Sequence, residues 1–127
     1  MSFIDKIFGG KQEQGDTKSF WKTIKSEDDL EKAIKESYEH KVAIFKHSTS
    51  CFISKTVLKN FEKEIENSED QNASFYFLDL LAFRAISNKI AEDFGIRHES
   101  PQLIVIENGK PISNASHQDI SLSQIAI

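Results

Sequence analysis

One cysteine, two prolines, five glycines and one tryptophan among 127 residues leave little room for several classes of protein. A single thiol, Cys51, cannot close an intramolecular disulfide, so a disulfide-stapled secreted scaffold is excluded by counting. No apolar stretch approaches the length of a membrane span, and Met1 to Lys11 carries neither the continuous apolar run nor the cleavage site of a secretory leader. A cytosolic, reducing location is expected. There is no excess of positive charge either, since 16 Lys and Arg face 20 Asp and Glu, for a formal charge of −4. Without a basic stripe to track phosphates, nucleic acid is not an expected partner. What is present, 39% hydrophobic and 28% charged residues, suffices for one core, because a domain of this size buries roughly two thirds of its unfolded surface.

Phe3, Ile4, Ile7 and Phe8 form a short stripe at helical spacing, and residues 9–16 are polar and glycine-rich. Residues 1–16 therefore read as a short helix, docked on the domain or frayed, followed by a linker, and residues 17–127 as the domain. Phe20 to Ile24 alternates weakly and predicts a strand. Ser26 ahead of Glu27, Asp28 and Asp29 is an N-cap with an acidic first turn, and Leu30, Ala33, Ile34 and Tyr38 share one face of a helix running to about Glu39. The apolar run Val42–Phe45 predicts a strand buried on both faces. Ile53, Val57, Phe61 and Ile65 then recur every four residues, placing Cys51 at or beside the start of a second amphipathic helix. Ser74–Leu80 reads as a third strand, and Phe83, Ile86, Ile90 and Phe94 line a helix closed by Gly95. Leu103–Ile106, the turn Asn108-Gly109 and Pro111–Ala115 form a hairpin, and Ser116 with Asp119 caps a last helix toward Ile125. Parallel crossovers followed by an antiparallel hairpin define an α/β fold with a central mixed five-stranded sheet and helices on both faces.

The chemistry concentrates at Cys51. Unpaired amides and the positive end of a helix stabilise a thiolate, and cysteines so placed reach a pKa of roughly 3.5 to 7.5 instead of about 8.5. Ser54 lies three residues on, with its hydroxyl within reach of the sulfur. A fall from about 8.5 to about 6.5 raises the thiolate fraction roughly 25-fold at neutral pH, while lower nucleophilicity takes back roughly 8-fold. The larger effect is on departure, since a low-pKa thiolate leaves a mixed disulfide readily. A buried inert cysteine is the plain alternative, and the polar flank Ser48-Thr49-Ser50 with the helix start speaks against it. No His-x-x-x-His or Cys-x-x-Cys spacing supports a metal site.

The segment Phe45-Lys46-His47-Ser48-Thr49-Ser50-Cys51-Phe52-Ile53-Ser54 resembles the active-site segment of the YtxJ-like family, the monothiol bacilliredoxins of the bacillithiol system. Ser87-Asn88 with Ile90-Ala91, His98-Glu99-Ser100-Pro101-Gln102 and Ala115-Ser116-His117-Gln118-Asp119-Ile120 extend the likeness in the same order from about Phe20 onward. The resemblance implies a thioredoxin-like fold in which Ser100-Pro101 is a cis peptide bond facing Cys51 and forms part of a platform for disulfide substrates. It also implies that Cys51 attacks a protein–bacillithiol mixed disulfide, takes over the small thiol and is regenerated by a second one, with no bound cofactor. The expected partners are then thiolated proteins and a low-molecular-weight thiol. Bacillithiol carries carboxylates, and Lys46, His47, Thr49, Ser116 and His117, with Arg97 and His98 nearby, are the groups expected to hold it; a solvated surface charge is equally open for each cation. The start of the expected last helix, Ser116 to Gln118, would add amides for an anion. Phe52 departs from the family, where proline or a small residue is expected, and adds bulk beside the sulfur. Two further readings remain: an iron–sulfur carrier like the monothiol glutaredoxins, whose Gly-Phe-Ser is absent after Cys51, and a non-catalytic thioredoxin-like binding module.

Overall fold

The computed structural model describes residues 20–48, 52–68 and 73–125. The expected N-terminal helix and linker lie outside the described residues, as do Thr49 and Cys51. Five strands, β1 (Trp21–Thr23), β2 (Lys41–His47), β3 (Ala73–Asp79), β4 (Gln102–Glu107) and β5 (Lys110–Ser116), form one sheet in the order β1-β3-β2-β4-β5. β3 runs parallel to both β1 and β2, while β4 is antiparallel to β2 and to β5. Among the described residues three helices cover it: α1 (Glu27–Glu36), α2 (Phe52–Asn67) and α3 (Arg84–Phe94). The expected mixed sheet with helices on both faces is present.

Strand periodicity sorts the apolar side chains into two cores. Ala43 and Phe45 of β2 and Leu103 and Val105 of β4 pack with Val57, Phe61 and Ile65 of α2, around Trp21. Val42 and Ile44, with Ile104 and Ile106, pack with Leu30 and Ala33 of α1 and Ile86 and Ile90 of α3. The central strands are closed on both sides, which explains their unbroken apolar runs. The Asn108-Gly109 hairpin has both residues at positive φ, 55° and 77°, as a two-residue primed turn demands.

Two boundaries differ from expectation. α1 ends at Glu36, three residues before Glu39, because Ser37 diverts the chain: its carbonyl accepts from Asn108 N–H at 2.7 Å and its hydroxyl from Gly109 N–H at 2.9 Å. Tyr38 is consequently 64% exposed and belongs to no core. The last helix is absent as such; β5 continues to Ser116 and is followed by two short 3₁₀ turns, His117–Asp119 and Leu122–Gln124. Ser116 caps nothing, since its hydroxyl donates to Glu99, and His117 sits at φ 56° with its N–H on the Pro101 carbonyl at 3.0 Å.

Near the starts of β2 and β3, Glu36 gathers four donors. Tyr76 Oη and His40 Nε2 each lie 2.6 Å from its carboxylate, Lys22 Nζ lies at 3.3 Å, and the Ser74 hydroxyl also donates. Burial alone would raise this carboxyl, but the bonds from Ser74, Tyr76, His40 and Lys22 outweigh it and hold the group down to about 2.

Candidate functional site

β2 carries its apolar pattern straight into polar residues without leaving the sheet. Parity therefore decides where they go. Lys46 continues the face of Val42 and Ile44 and lies beneath α3, whereas His47 continues the face of Ala43 and Phe45 and meets α2. Both are buried, at 0% and 5% exposure. Each is turned into the protein rather than toward solvent. Lys46 Nζ donates to the Ser87 carbonyl at 3.1 Å and lies 3.4 Å from His98 Nδ1. With so little water around it, the amine is pushed down to about 8.

His47 Nδ1 is 2.7 Å from Ser54 Oγ, and that oxygen also accepts the Ser48 N–H at 3.1 Å. Ser54, fully buried in the first turn of α2, thus ties the end of β2 to the start of the helix. Burial pushes the His47 imidazole down from its usual range; Asp79 opposes this and Lys55 reinforces it. The first turn of α2 holds no carboxylate, in contrast to Glu27, Asp28 and Asp29 on α1. Its positive end is left uncompensated directly after position 51 in the sequence.

Ser100-Pro101 is a cis peptide bond. Lys46 is the ladder partner of Gln102, so Ser100 and Pro101 lie next to the end of β2, where the chain leads toward residues 49–51. Pro101 is buried, and its carbonyl receives the His117 N–H. The structure thereby brings Ser100, Pro101, Ser116 and His117 to the end of the sheet that carries His47 and Ser54. It does not provide the helix start expected at Ser116 to Gln118, since a three-residue 3₁₀ turn stands there.

Sequence reasoning missed what Ser87, His98 and Gln102 do. Lys46 parity was a usable signal for Ser87, but nothing local announces a partner 41 residues away. It also missed a groove of about 240 Å³ lined by Phe52, Ile53, Thr56, Val57, Asn60, Gln118 and Ile120. Phe52 is 81% and Ile53 45% exposed, so the four-residue stripe expected to be buried begins at Val57. Among the described residues no helix is long and apolar enough to cross a membrane.

Residues 22–125 match the family model described as monothiol bacilliredoxin BrxC. Among solved structures, a candidate oxidoreductase with a thioredoxin fold is 31% identical, with a TM-score of 0.73 over 84% of this chain and 91% of that one. The thioredoxin Mala s 13 of Malassezia sympodialis is 25% identical, with a TM-score of 0.59 over 75% of this chain and 76% of its own. Fasciola hepatica thioredoxin, 19% identical at a TM-score of 0.56 over 75% and 85% of the two chains, shares the fold.

Proposed function

Because this chain belongs to the monothiol bacilliredoxin family and has a thioredoxin fold, we propose that its thiol redox function is the removal of bacillithiol, or a similar small thiol, from protein mixed disulfides. The Cys51 thiolate attacks the sulfur of the small thiol, forming a new disulfide as the protein thiolate departs. A second molecule of small thiol then attacks that adduct, leaves as the symmetric disulfide and frees Cys51. Two thiol–disulfide exchanges balance without any further oxidant. No internal second cysteine exists to compete for the adduct.

The observation that carries this reading is the start of α2. It follows the lone cysteine directly, has no carboxylate in its first turn, and holds Ser54 three residues after the sulfur. Such a helix end favours the anionic sulfur and its departure. Ser54 has one proton to give. It reaches a thiolate when His47 donates from Nδ1, and goes to His47 in the other tautomer. The cis Ser100-Pro101 segment beside the end of β2 supplies the platform.

The test is adduct transfer followed by intact-protein mass spectrometry. A carrier protein bearing bacillithiol is mixed with the reduced chain, and the mass increment is expected to move to Cys51. Removal at an undiminished rate by Cys51→Ser sinks the proposal. An ordinary Cys51 pKa with no transfer identifies a binding module instead, and visible absorbance after anaerobic reconstitution identifies an iron–sulfur carrier.

A further inference from the structure

Lys46 and Gln102 face each other across the β2–β4 ladder, and neither reaches solvent, at 0% and 1% exposure. Both turn toward the same stretch of chain. Gln102 Nε2 donates to the Arg97 carbonyl at 2.9 Å, while Lys46 Nζ bonds the Ser87 carbonyl and lies 3.4 Å from His98 Nδ1. Ser87 Oγ is 3.3 Å from the same nitrogen. An amine and an amide thus grip residues 97 and 98 just ahead of the cis Ser100-Pro101 bond. The grip is expensive: it desolvates a cation, and among the described residues Gln102 Oε1 is buried without a hydrogen-bond partner. Aliphatic side chains would fill the space without these losses, so packing does not account for the polarity.

A protonated amine has no lone pair, so a hydrogen bond from Lys46 requires the imidazole nitrogen facing it to accept. That bond favours the neutral tautomer of His98 with its proton on Nε2, with the Ser87 hydroxyl free to donate to the same nitrogen. A second proton on Nδ1 would bring N–H against N–H and charge against charge. Burial pushes the His98 imidazole down; Lys46 of β2 and Arg84 of α3 push the same way, and Glu99 opposes them. The residue is otherwise exposed, beside the expected substrate platform.

We propose that Lys46 is a positioning residue that holds His98 as an Nε2–H donor beside the cis-proline segment, and that His98 there recognises a carboxylate on the small thiol of the mixed disulfide. The recognition rests on the oxidoreductase reading above; the positioning does not. An ionised acceptor is specified because a hydrogen bond to it is roughly twice as strong as one between neutral groups.

Nitrogen-15 shifts of the His98 ring report its tautomer and titration directly. In the full-length protein Nδ1 is expected to be bare and the ring to titrate below an ordinary histidine. In Lys46→Met, or Lys46→Leu should that variant not fold, the tautomer preference is lost and the midpoint rises by about one pH unit. An unchanged His98 titration overturns the positioning. For recognition, a carrier protein is loaded with cysteine, which bears a carboxylate, or with cysteamine, which does not. His98→Phe is expected to lower kcat/KM about tenfold on the cysteine adduct, chiefly through KM, and to leave the cysteamine adduct unchanged. Equal loss on both adducts overturns the recognition. Failure of the unaltered protein to accept either adduct overturns the recognition, while the histidine titration still decides the positioning and bacillithiol transfer the oxidoreductase reading.

Discussion

His47 Nδ1 and Ser54 Oγ lie 2.7 Å apart between the end of β2 and the first turn of α2, both shielded from water. The contact joins the two elements that flank residues 49–51, and the Ser48 N–H bonds the same oxygen. One hydroxyl therefore holds the end of β2 to the start of α2, and under the proposed function its proton goes to the sulfur when His47 donates from Nδ1.

Ser54→Ala should separate these roles. It leaves the Ser48 N–H and the His47 ring without their partner, and a loss of about 2 kcal/mol in urea denaturation is expected. The rate of Cys51 alkylation against pH should shift to a higher midpoint as well. A stability loss with an unmoved alkylation midpoint would limit Ser54 to the structural role.

The neutral His47 ring also makes stability depend on pH. Its folded pKa lies below the unfolded one, so the unfolded chain binds the extra proton first. The stability it contributes is complete above about 6.5, the unfolded value, and is lost as pH falls toward the lower folded value. His47→Asn, which keeps a polar group near Ser54 and does not titrate, should flatten this part of the stability curve between pH 7 and pH 5.

Lys46→Met should stabilise the protein. The folded amine sits at about 8 against an ordinary 10.5, so keeping it charged at neutral pH opposes folding. Stability is fully present only above the unfolded value and falls as pH drops through the folded one. Replacement by an apolar side chain is expected to gain about 1–3 kcal/mol near pH 7, with the gain vanishing above about pH 10.5. Equal stability across that range would mean the amine carries no such cost.

These residues show how far the sequence could be read. Strand parity, the acidic first turn of α1 and the Asn108-Gly109 turn are local signals, and the architecture followed from them. The misplaced features were decided by long-range bonds. Ser37 ends α1 by serving a turn 72 residues away, and Ser116 gives up capping for Glu99. His117 leaves the helical region to bond Pro101. Lys46 and His47 were legible as polar residues near the site, but their burial depends on α2 and α3 closing over them, which no local pattern encodes.

Glu36 predicts a second, more acidic step. Its carboxyl is held to about 2 from an ordinary 4.5, so its contribution is complete above the unfolded value and is lost as pH falls through the folded one. Glu36→Gln should remove roughly 1–3 kcal/mol at pH 7 and abolish the fall in stability between pH 4.5 and pH 2. Circular dichroism at a fixed urea concentration across that range reads both effects.

Phe52 tests how the protein half of a mixed disulfide is held. At 81% exposure its removal costs the fold little, so Phe52→Ala should change stability by less than about 0.5 kcal/mol. The same exposure leaves its ring, on the groove shared with Ile53, Val57 and Ile120, free to lose water against a partner. Under the proposed function that partner is the thiolated protein, whose apolar surface is far larger than that of a small thiol. KM for a protein mixed disulfide should then rise about tenfold, as expected for losing on the order of 50 Å² of apolar contact. The rate with a small symmetric disulfide, which cannot span the groove, should not move. Equal slowing with both substrates would place Phe52 at the sulfur itself rather than in protein recognition.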